Sequence, residues 1–541
     1  MAAPSTSSPR RATEPESPVA CRFRRRRYGT LPSDLPEAAR VSLETLTLNC
    51  ADETATRRLA EDVASILKPG DCILLVGDLG AGKSTFARAT LRALAGNPAL
   101  EVPSPTFTLV QTYALDRLSI AHLDLYRLEE ADELDELGLD ELLERGAALI
   151  EWPERAEDRL PEDALVVRIE PGERPEARSV SLSWTEGDWG IRLARSRAVR
   201  RFLDAAGWND AARVPLQGDA STRAYETVTA HGRTAILMNA PARPDGPPVR
   251  EGLPYSRLVH LAEDVRPFVA IDEGLRKAGF HAPEIFSSDV EAGLLLLEDL
   301  GREGFVKDGA PIAERYFAAV ELLADLHSHE WPREAPLPDG TRHLLSPYDA
   351  RALMFEAELF LDWYLPHAGY PADEGLRGEF AELWTPLLER LETAEKTWVL
   401  RDYHSPNLIW RGEEKGNDRI GLIDFQDAVI GPSAYDVASL TLDARVTVPE
   451  ELEKALCARY VERRKANTPG FDEERFSQDY AIMAAQRQSK LFGIFVRLAK
   501  RDGKPRYLGH LPRIEDYFRR VARHPVLADL RLWYETHGVS T

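Results

Sequence analysis

The chain has 541 residues, enough for two or three domains with sizeable cores, and its 43% hydrophobic and 29% charged residues are ordinary for a soluble protein. No apolar run reaches the length that crosses a bilayer, so no membrane association is expected, and a formal charge of −21 repels nucleic acid, which argues against strong direct nucleic-acid binding. Cys21, Cys50, Cys72 and Cys457 are scattered without C-x-x-C spacing, against a disulfide framework or zinc site and in keeping with a cytoplasmic location.

Residues 1–40 combine Ser, Pro and Arg, with a run from Arg24 to Arg27, and lack any helical or strand period; they read as a disordered tail or as the product of a misassigned start codon. Val41 to Leu48 then alternates like a strand. Asp52 is placed to cap a helix with the apolar face Ala55, Leu59, Val63 and Ile66, which Pro69-Gly70 ends. The all-apolar run Cys72-Ile73-Leu74-Leu75-Val76 suits a strand buried on both faces of a parallel sheet.

Directly after it stands Gly77-Asp78-Leu79-Gly80-Ala81-Gly82-Lys83-Ser84-Thr85, with the spacing of a phosphate-binding P-loop, and a helix is predicted from Ser84. Glycines let backbone N–H groups curl round a phosphate, and the helix N-terminus adds positive potential. Gly80, Gly82, Lys83, Ser84 and Thr85 are thus candidate ATP-binding residues, and Ser84 a candidate Mg²⁺ ligand. Ser104 to Val110 opens a further strand, and Ile120 to Leu128 reads as another with Asp124 near its end, where a carboxylate commonly anchors the nucleotide's Mg²⁺. Ala131 to Arg145 is an acidic helical stretch with Leu134, Leu137 and Leu142 facing inward. Ala147 to Ile150 is a short buried strand that delivers Glu151 and Trp152 to the P-loop edge of the sheet. There Glu151 either orients an attacking water or completes the Mg²⁺ shell. Leu165–Ile169 and Val180–Trp184 are expected as edge strands of the same sheet.

The P-loop, Ser104-Pro105-Thr106-Phe107-Thr108-Leu109-Val110, His122-Leu123-Asp124-Leu125-Tyr126-Arg127-Leu128 and Ile150-Glu151-Trp152-Pro153 follow one another in the order and spacing of TsaE, and residues 41–188 resemble that family. TsaE is the P-loop ATPase subunit of the bacterial complex that makes threonylcarbamoyladenosine in tRNA. The resemblance implies ATP and Mg²⁺ binding by Gly80, Gly82, Lys83 and Ser84. It makes Thr106 the switch-segment threonine, Asp124 the metal-side aspartate and Glu151 the catalytic glutamate. It also implies partner subunits of the TsaD and TsaB type, which ATP hydrolysis resets.

Between Glu186 and Arg201 the sequence turns basic, and residues 189–196 are expected to be a linker to a second domain over 197–541. Gln217 to Tyr225 is a polar turn between strands, either a hairpin over nucleotide phosphates that uses Ser221 and Arg223 or an ordinary hairpin. Further on, Trp398-Val399-Leu400 leads to Asp402, Asn407 follows, and Ile420-Gly421-Leu422-Ile423 leads to Asp424. A turn centred on Lys415-Gly416 would set Asn407 opposite Asp424. Asp402 is then the candidate base for a substrate hydroxyl, with Asn407 and Asp424 as Mg²⁺ ligands.

Leu294 to Gly301 resembles the strand and hinge that hold adenine, which places Glu298 at the nucleotide, and Gly431 to Asp436 matches the segment after the metal aspartate in aminoglycoside-phosphotransferase-like enzymes. Residues 197–535 resemble that superfamily. Within it, Gly218-Asp219-Ala220-Ser221-Thr222-Arg223, Leu237-Met238-Asn239-Ala240-Pro241 and Arg266-Pro267-Phe268-Val269 resemble AmgK, the kinases that phosphorylate N-acetylmuramate and N-acetylglucosamine at C1 in cell-wall recycling. Two positions depart from the wider kinase pattern. Met238 stands where many relatives place a phosphate-binding Lys, which leaves Arg223 to neutralise the phosphates, and Leu400 stands where His commonly precedes the catalytic Asp. The expected whole is an α/β P-loop domain with a mainly parallel sheet, followed by a two-lobed α+β protein-kinase-like (aminoglycoside phosphotransferase) domain that acts on an amino sugar. An aminoglycoside or other small alcohol as substrate, or a non-catalytic nucleotide sensor, are the alternatives. Phe360, Tyr364 and Trp384 suit core packing, and Glu356, Asp362 and Trp363 are a candidate substrate wall. The basic stretches Gln486–Arg501 and Arg513–His524 suit either contact with the lactyl carboxylate of muramate or a solvated face.

Overall fold

The structure is a computed structural model that describes residues 44–105, 108–128, 133–156, 159–216, 223–242, 246–370, 372–537 and 539. The chain divides into two compact units. Of the described residues, the first holds those from 44 to 204 together with 210–216, and the second holds 205–209 together with those from 223 onward. No helix among the described residues is long and apolar enough to cross a membrane.

In the first unit, β1 (Glu44–Cys50), β2 (Cys72–Val76), β3 (Val110–Tyr113), β4 (Ser119–Asp124), β5 (Gly146–Glu151), β6 (Leu165–Pro171) and β7 (Arg178–Trp184) form one sheet in the order β1-β7-β6-β2-β5-β4-β3. The pairs β6/β2, β2/β5 and β5/β4 are parallel, while β1, β7 and β3 pair antiparallel at the flanks. Ile73, Leu74 and Leu75 are fully buried, as a strand covered on both faces requires. The runs expected as edge strands lie inside the sheet: β6 sits between β2 and β7, and β7 between β6 and β1.

Helix α1 (Glu53–Ser65) starts at Asp52, whose Oδ1 accepts from Ala55 N at 2.9 Å. Its fully buried residues are Thr56, Ala60, Val63 and Ala64, and the rest of the expected face, Ala55, Leu59 and Ile66, is half-buried against the same core, with α2 (Lys83–Ala95) as its neighbour. The strand expected from Ser104 begins only at Val110, because Leu109 takes a left-handed φ of 60° that breaks extension. The acidic helix is split into α3 (Glu133–Glu136) and α4 (Leu139–Arg145) by Gly138 at φ 66°. Residues 189–196, expected as a linker, are the first half of helix α5 (Trp189–Ala205). The basic run there is bound: the Arg192 guanidinium meets both oxygens of Asp71 at 2.6 and 2.9 Å, and Arg200 and Arg213 converge on Asp62.

In the second unit, β9 (Ala224–Ala230), β10 (Arg233–Asn239), β11 (Ile285–Asp289) and β12 (Leu294–Glu298) pair antiparallel in the order β11-β12-β10-β9; β8 (Ala212–Leu216) is grouped with the first unit. α6 (Arg266–Lys277) follows β10, and α7 (Ala313–His327) follows β12. The larger lobe holds two short ladders, β13 (Lys396–Val399) with β16 (Val429–Pro432) and β14 (Leu408–Trp410) with β15 (Ile420–Leu422), together with α8 (Ala434–Thr441) and the 28-residue α9 (Glu473–Lys500). Phe360, Tyr364 and Trp384 are buried in its core, as expected. The lobe therefore presents the loops on either side of β14 and β15 from a packed base.

Candidate active sites

The parallel strands β2, β4 and β5 end at one edge, where parallel sheets present ligand sites. Asp124 lies opposite Glu151 in the β4/β5 register, and Leu75 opposite Glu151 in β2/β5. The P-loop spans from the end of β2 to α2. Gly77 is obligatory, since a Cβ there would stand 2.4 Å from Ile169 O, and Gly80 and Gly82 take φ values of 81° and 116° that side chains resist. The Arg178 Nε donates to Ala81 O at 2.9 Å and props the loop from β7.

Lys83 donates to the carbonyls of Gly77 at 2.7 Å and Asp78 at 3.0 Å, and its ammonium lies 3.6 Å from the Trp152 ring centroid. Burial lowers its pKa, opposed by the charges of Glu151, Glu154, Asp124 and Asp78. Ser84 Oγ donates to Glu151 Oε2 at 2.8 Å. The other Glu151 oxygen meets His122 Nε2 at 3.0 Å, and Asp124 accepts from Ser104 Oγ at 2.7 Å and Tyr126 N at 3.1 Å. Glu151 and Asp124 are almost fully buried, and the His122 Nδ1 is buried without a partner. A cationic nitrogen, a hydroxyl and two carboxylates at a strand-loop-helix junction can receive a phosphate chain and a hard cation. Thr85 lies beside them in the first turn of α2, while Thr106 lies outside the described residues. His122 opens the His122–Leu128 motif but received no role from the sequence; its place two residues before Asp124, on the same strand face, is the signal for it.

The second site is built on the β14/β15 ladder. Leu408 opposes Leu422, one residue out of the expected register, so Asn407 faces Ile423, whose N–H donates to Asn407 O at 3.1 Å. Strand alternation alone would then send the side chains of 407 and 424 to different faces. Asp424, however, has a left-handed φ of 60°, and this turn brings its Oδ2 to 3.4 Å from Asn407 Nδ2. The same amide donates to Asp402 O at 2.9 Å, and Gln426 Nε2 donates to Asp424 Oδ1 at 3.0 Å. Burial pushes the Asp424 carboxyl above the usual range, helped by the charge of Asp402. The Asp402 side chain is 45% exposed and so open to a partner.

Asp436, on α8, accepts from the backbone N–H groups of Leu400 at 2.6 Å and Arg401 at 2.9 Å, which fixes the entry to this loop. Arg223 Nη1 stands 3.8 Å from Asp424 Oδ1, and Ser221 lies outside the described residues. Met238 is 1% exposed and packed in the core, paired with Tyr225 and Leu295, so it offers nothing polar. Glu298 ends β12, where its carboxylate lies 3.5 Å from His281 and 3.8 Å from Arg411, and accepts from Glu284 N at 3.1 Å. Glu356 is no substrate wall. It is fully buried, with Arg401 and, at 2.8 Å, Lys490 on Oε1 and the Tyr348 hydroxyl donating to Oε2, while Asp362 pairs with Arg377.

Among the described residues, no group of three or more His, Cys, Asp or Glu side chains is placed to hold a metal. Both sites instead combine carboxylate with hydroxyl or amide oxygen, the donor set that suits Mg²⁺ bound mainly through substrate phosphates.

Residues 50–180 match the family model of the threonylcarbamoyl adenosine biosynthesis protein TsaE, and residues 213–475 that of the phosphotransferase enzyme family. The chain is 36% identical over 355 residues to an N-acetylmuramate/N-acetylglucosamine kinase of Caulobacter vibrioides, covering 63% of this chain and 96% of that protein. It is 34% identical over 341 residues to the kinase of the same name from Pseudomonas aeruginosa, covering 60% and 89%. It is also 43% identical over 124 residues to the tRNA threonylcarbamoyladenosine biosynthesis protein TsaE of Rickettsia conorii, covering 23% and 69%. The chain is a fusion that belongs to the TsaE family through its first part and to the N-acetylmuramate/N-acetylglucosamine kinase family through its second.

Proposed function

We propose that the second unit transfers the γ-phosphoryl group of ATP to the anomeric hydroxyl of N-acetylmuramate or N-acetylglucosamine, and that the first unit hydrolyses ATP as the TsaE component of the tRNA threonylcarbamoyladenosine machinery. The observation that carries the kinase reading is the Asn407 amide, which ties the Asp424 carboxylate to the main-chain carbonyl of Asp402. Asp402, the more exposed of the two carboxylates, accepts the proton of the sugar hydroxyl as its oxygen bonds to the γ-phosphorus and the bond to ADP breaks. Asn407 and Asp424 offer their oxygens to Mg²⁺, which when bound neutralises charge on the phosphates. Arg223, beside Asp424, is the cation that stands in for the lysine absent at Met238.

In the first unit, Lys83 and the P-loop amides would bind the phosphates, Ser84 and Asp124 would hold Mg²⁺, and Glu151, oriented by His122, would position the attacking water. Its partners are subunits of the TsaD and TsaB type. Purified chain supplied with ATP, Mg²⁺ and N-acetylmuramate is expected to give an acid-labile sugar 1-phosphate that is lost in Asp402→Asn. Absence of product with every amino sugar tried would remove the amino-sugar substrate assignment. In cells, Lys83→Ala is expected to lower threonylcarbamoyladenosine in tRNA, and unchanged modification would count against the first assignment.

A further inference from the structure

The middle of α9 carries an unusual run for a core helix: Gln486, Arg487, Gln488 and Ser489 are all buried. Part of the run is bonded, although Gln486 Oε1 and both amide atoms of Gln488 are buried without a partner. Gln486 Nε2 donates to Leu353 O at 2.9 Å, and Ser489 Oγ meets Ala485 O and the Tyr534 hydroxyl. Arg487 is not. It is 4% exposed, it makes no ion pair or hydrogen bond among the described residues, and its Nη1 is buried without a partner. A guanidinium is never deprotonated in a protein, so burial without an anion is strongly unfavourable and calls for one.

The helix geometry says where that anion would sit. Arg487 lies two turns beyond Tyr480 on the same face of α9, and the Tyr480 hydroxyl is 2.8 Å from Thr441 Oγ1 at the end of α8. The chain continues from there through Asp443 to Arg445. Asp443 is tied to the loop of Asp402: its Oδ2 accepts from Ser405 N at 2.8 Å and from the Tyr316 hydroxyl at 3.0 Å, and its Oδ1 from Arg445 N at 2.8 Å. With these bonds Asp443 is satisfied and makes no ion pair with Arg487. The charges of Arg487 and Arg445 both act on the His404 ring, whose Nε2 is 3.9 Å from Asp402 Oδ1 and whose Nδ1 is buried without a partner. The unpaired cation therefore belongs to the neighbourhood of the exposed carboxylate Asp402, on the α8–α9 side.

We propose that Arg487 is a specificity-determining residue that takes the lactyl carboxylate by which N-acetylmuramate differs from N-acetylglucosamine. This rests on the sugar-kinase reading above. The other anion available to the site is a phosphate of ATP, and the two are separable because only one sugar carries a carboxylate.

The test uses the full chain and compares kcat/KM for the two sugars at saturating ATP and Mg²⁺. Arg487→Met is expected to lose about ten- to a hundred-fold with N-acetylmuramate, as for a charge-assisted hydrogen bond, and at least about ten-fold less than that with N-acetylglucosamine. Arg487→Lys, which keeps the charge and loses the planar fork, should fall between. Equal losses with both sugars would assign the guanidinium to phosphate or to folding and overturn the proposal, as would no loss. A measurement on the unmutated chain is independent of how the variants fold. The methyl ester of N-acetylmuramate, which keeps the shape and removes the charge, is expected to have a KM at least about ten-fold above that of the free acid, and equal KM values overturn the subsite. An unmutated chain that turns over neither sugar removes the sugar-kinase reading itself; one that turns over both sugars with no dependence on charge removes only the role of Arg487.

Discussion

The Ser84 hydroxyl donates to Glu151 Oε2 at 2.8 Å across 67 residues of sequence, joining the first turn of α2 to the end of β5. Both oxygens of this buried carboxylate are thereby held, one by Ser84 and the other by His122. A glutamate held in this way is oriented before any substrate arrives, which is what water positioning requires.

Glu151→Gln removes the carboxylate charge and keeps the shape. ATP binding is expected to persist while hydrolysis falls about 10²- to 10³-fold, the scale of a lost general base. Lys83→Ala should instead lose binding, because its ammonium is the cation set among the loop carbonyls. Binding of a fluorescent ATP analogue and steady-state phosphate release separate the two variants; wild-type turnover in Glu151→Gln would exclude Glu151 from the chemistry.

His122→Ala tests the second hold on Glu151. Removing this 3.0 Å hydrogen bond is expected to slow hydrolysis about ten-fold with little change in ATP affinity, since the ring supplies the carboxylate with orientation through a single hydrogen bond. A fall in affinity as large as the fall in rate would mean that the residue shapes the binding loop instead.

Much of both sites was legible in the sequence because their residues sit at junctions where an apolar run ends. The P-loop after Cys72–Val76, Asp124 and Glu151 at strand ends, and Asp402, Asn407 and Asp424 round a hairpin all follow that rule. What stayed hidden depended on tertiary partners. Glu356 reads as a polar residue beside aromatic ones, and nothing local says that Arg401 and Lys490 will reach it from 45 and 134 positions away in the chain. The sheet order was equally closed to sequence reading: Leu165–Ile169 pairs beside β2 rather than at an edge, because a parallel partner is chosen by burial and not by adjacency in the chain. The register of β14 and β15 is one residue from the expected one because the connection closes through a 3-10 turn over Gly416–Arg419, and the left-handed φ of Asp424 that restores its meeting with Asn407 leaves no mark in the sequence.

The Glu356 cluster makes a stability prediction. Burial works to raise this carboxyl, yet Lys490 and then Arg401 hold it down at about 2, with the Tyr348 hydroxyl adding a bond. Glu356→Gln leaves two buried cations without their anion, and a loss of about 3–5 kcal/mol is expected. Urea denaturation at neutral pH reads it directly. Kinase activity should fall as well, because Arg401, held by Glu356, immediately precedes Asp402. A variant as stable as the parent would show that the cluster is dispensable to the fold.

Asp272, on α6, gives a prediction in the opposite direction. It is 2% exposed, its Oδ1 is buried without a partner, and it lines a cavity of about 680 Å³ together with Glu273, Arg276 and Lys277. Burial pushes its carboxyl up to about 8, only partly offset by Arg276 and reinforced by Glu273 and Glu298. In the unfolded chain the same group titrates near about 3.9. Between these values the folded protein keeps a proton that the unfolded chain releases, so the stability contributed by Asp272 is full below about pH 4 and declines as pH rises towards 8. Asp272→Asn cannot release that proton. Its stability relative to the parent is therefore expected to be near zero at pH 4 and to grow to an advantage on the order of 3–5 kcal/mol at pH 8. Thermal unfolding of parent and variant from pH 4 to 8 measures the difference directly, since the other titrating groups cancel between them. A difference that stays flat with pH would show that Asp272 ionises at an ordinary value inside the folded unit.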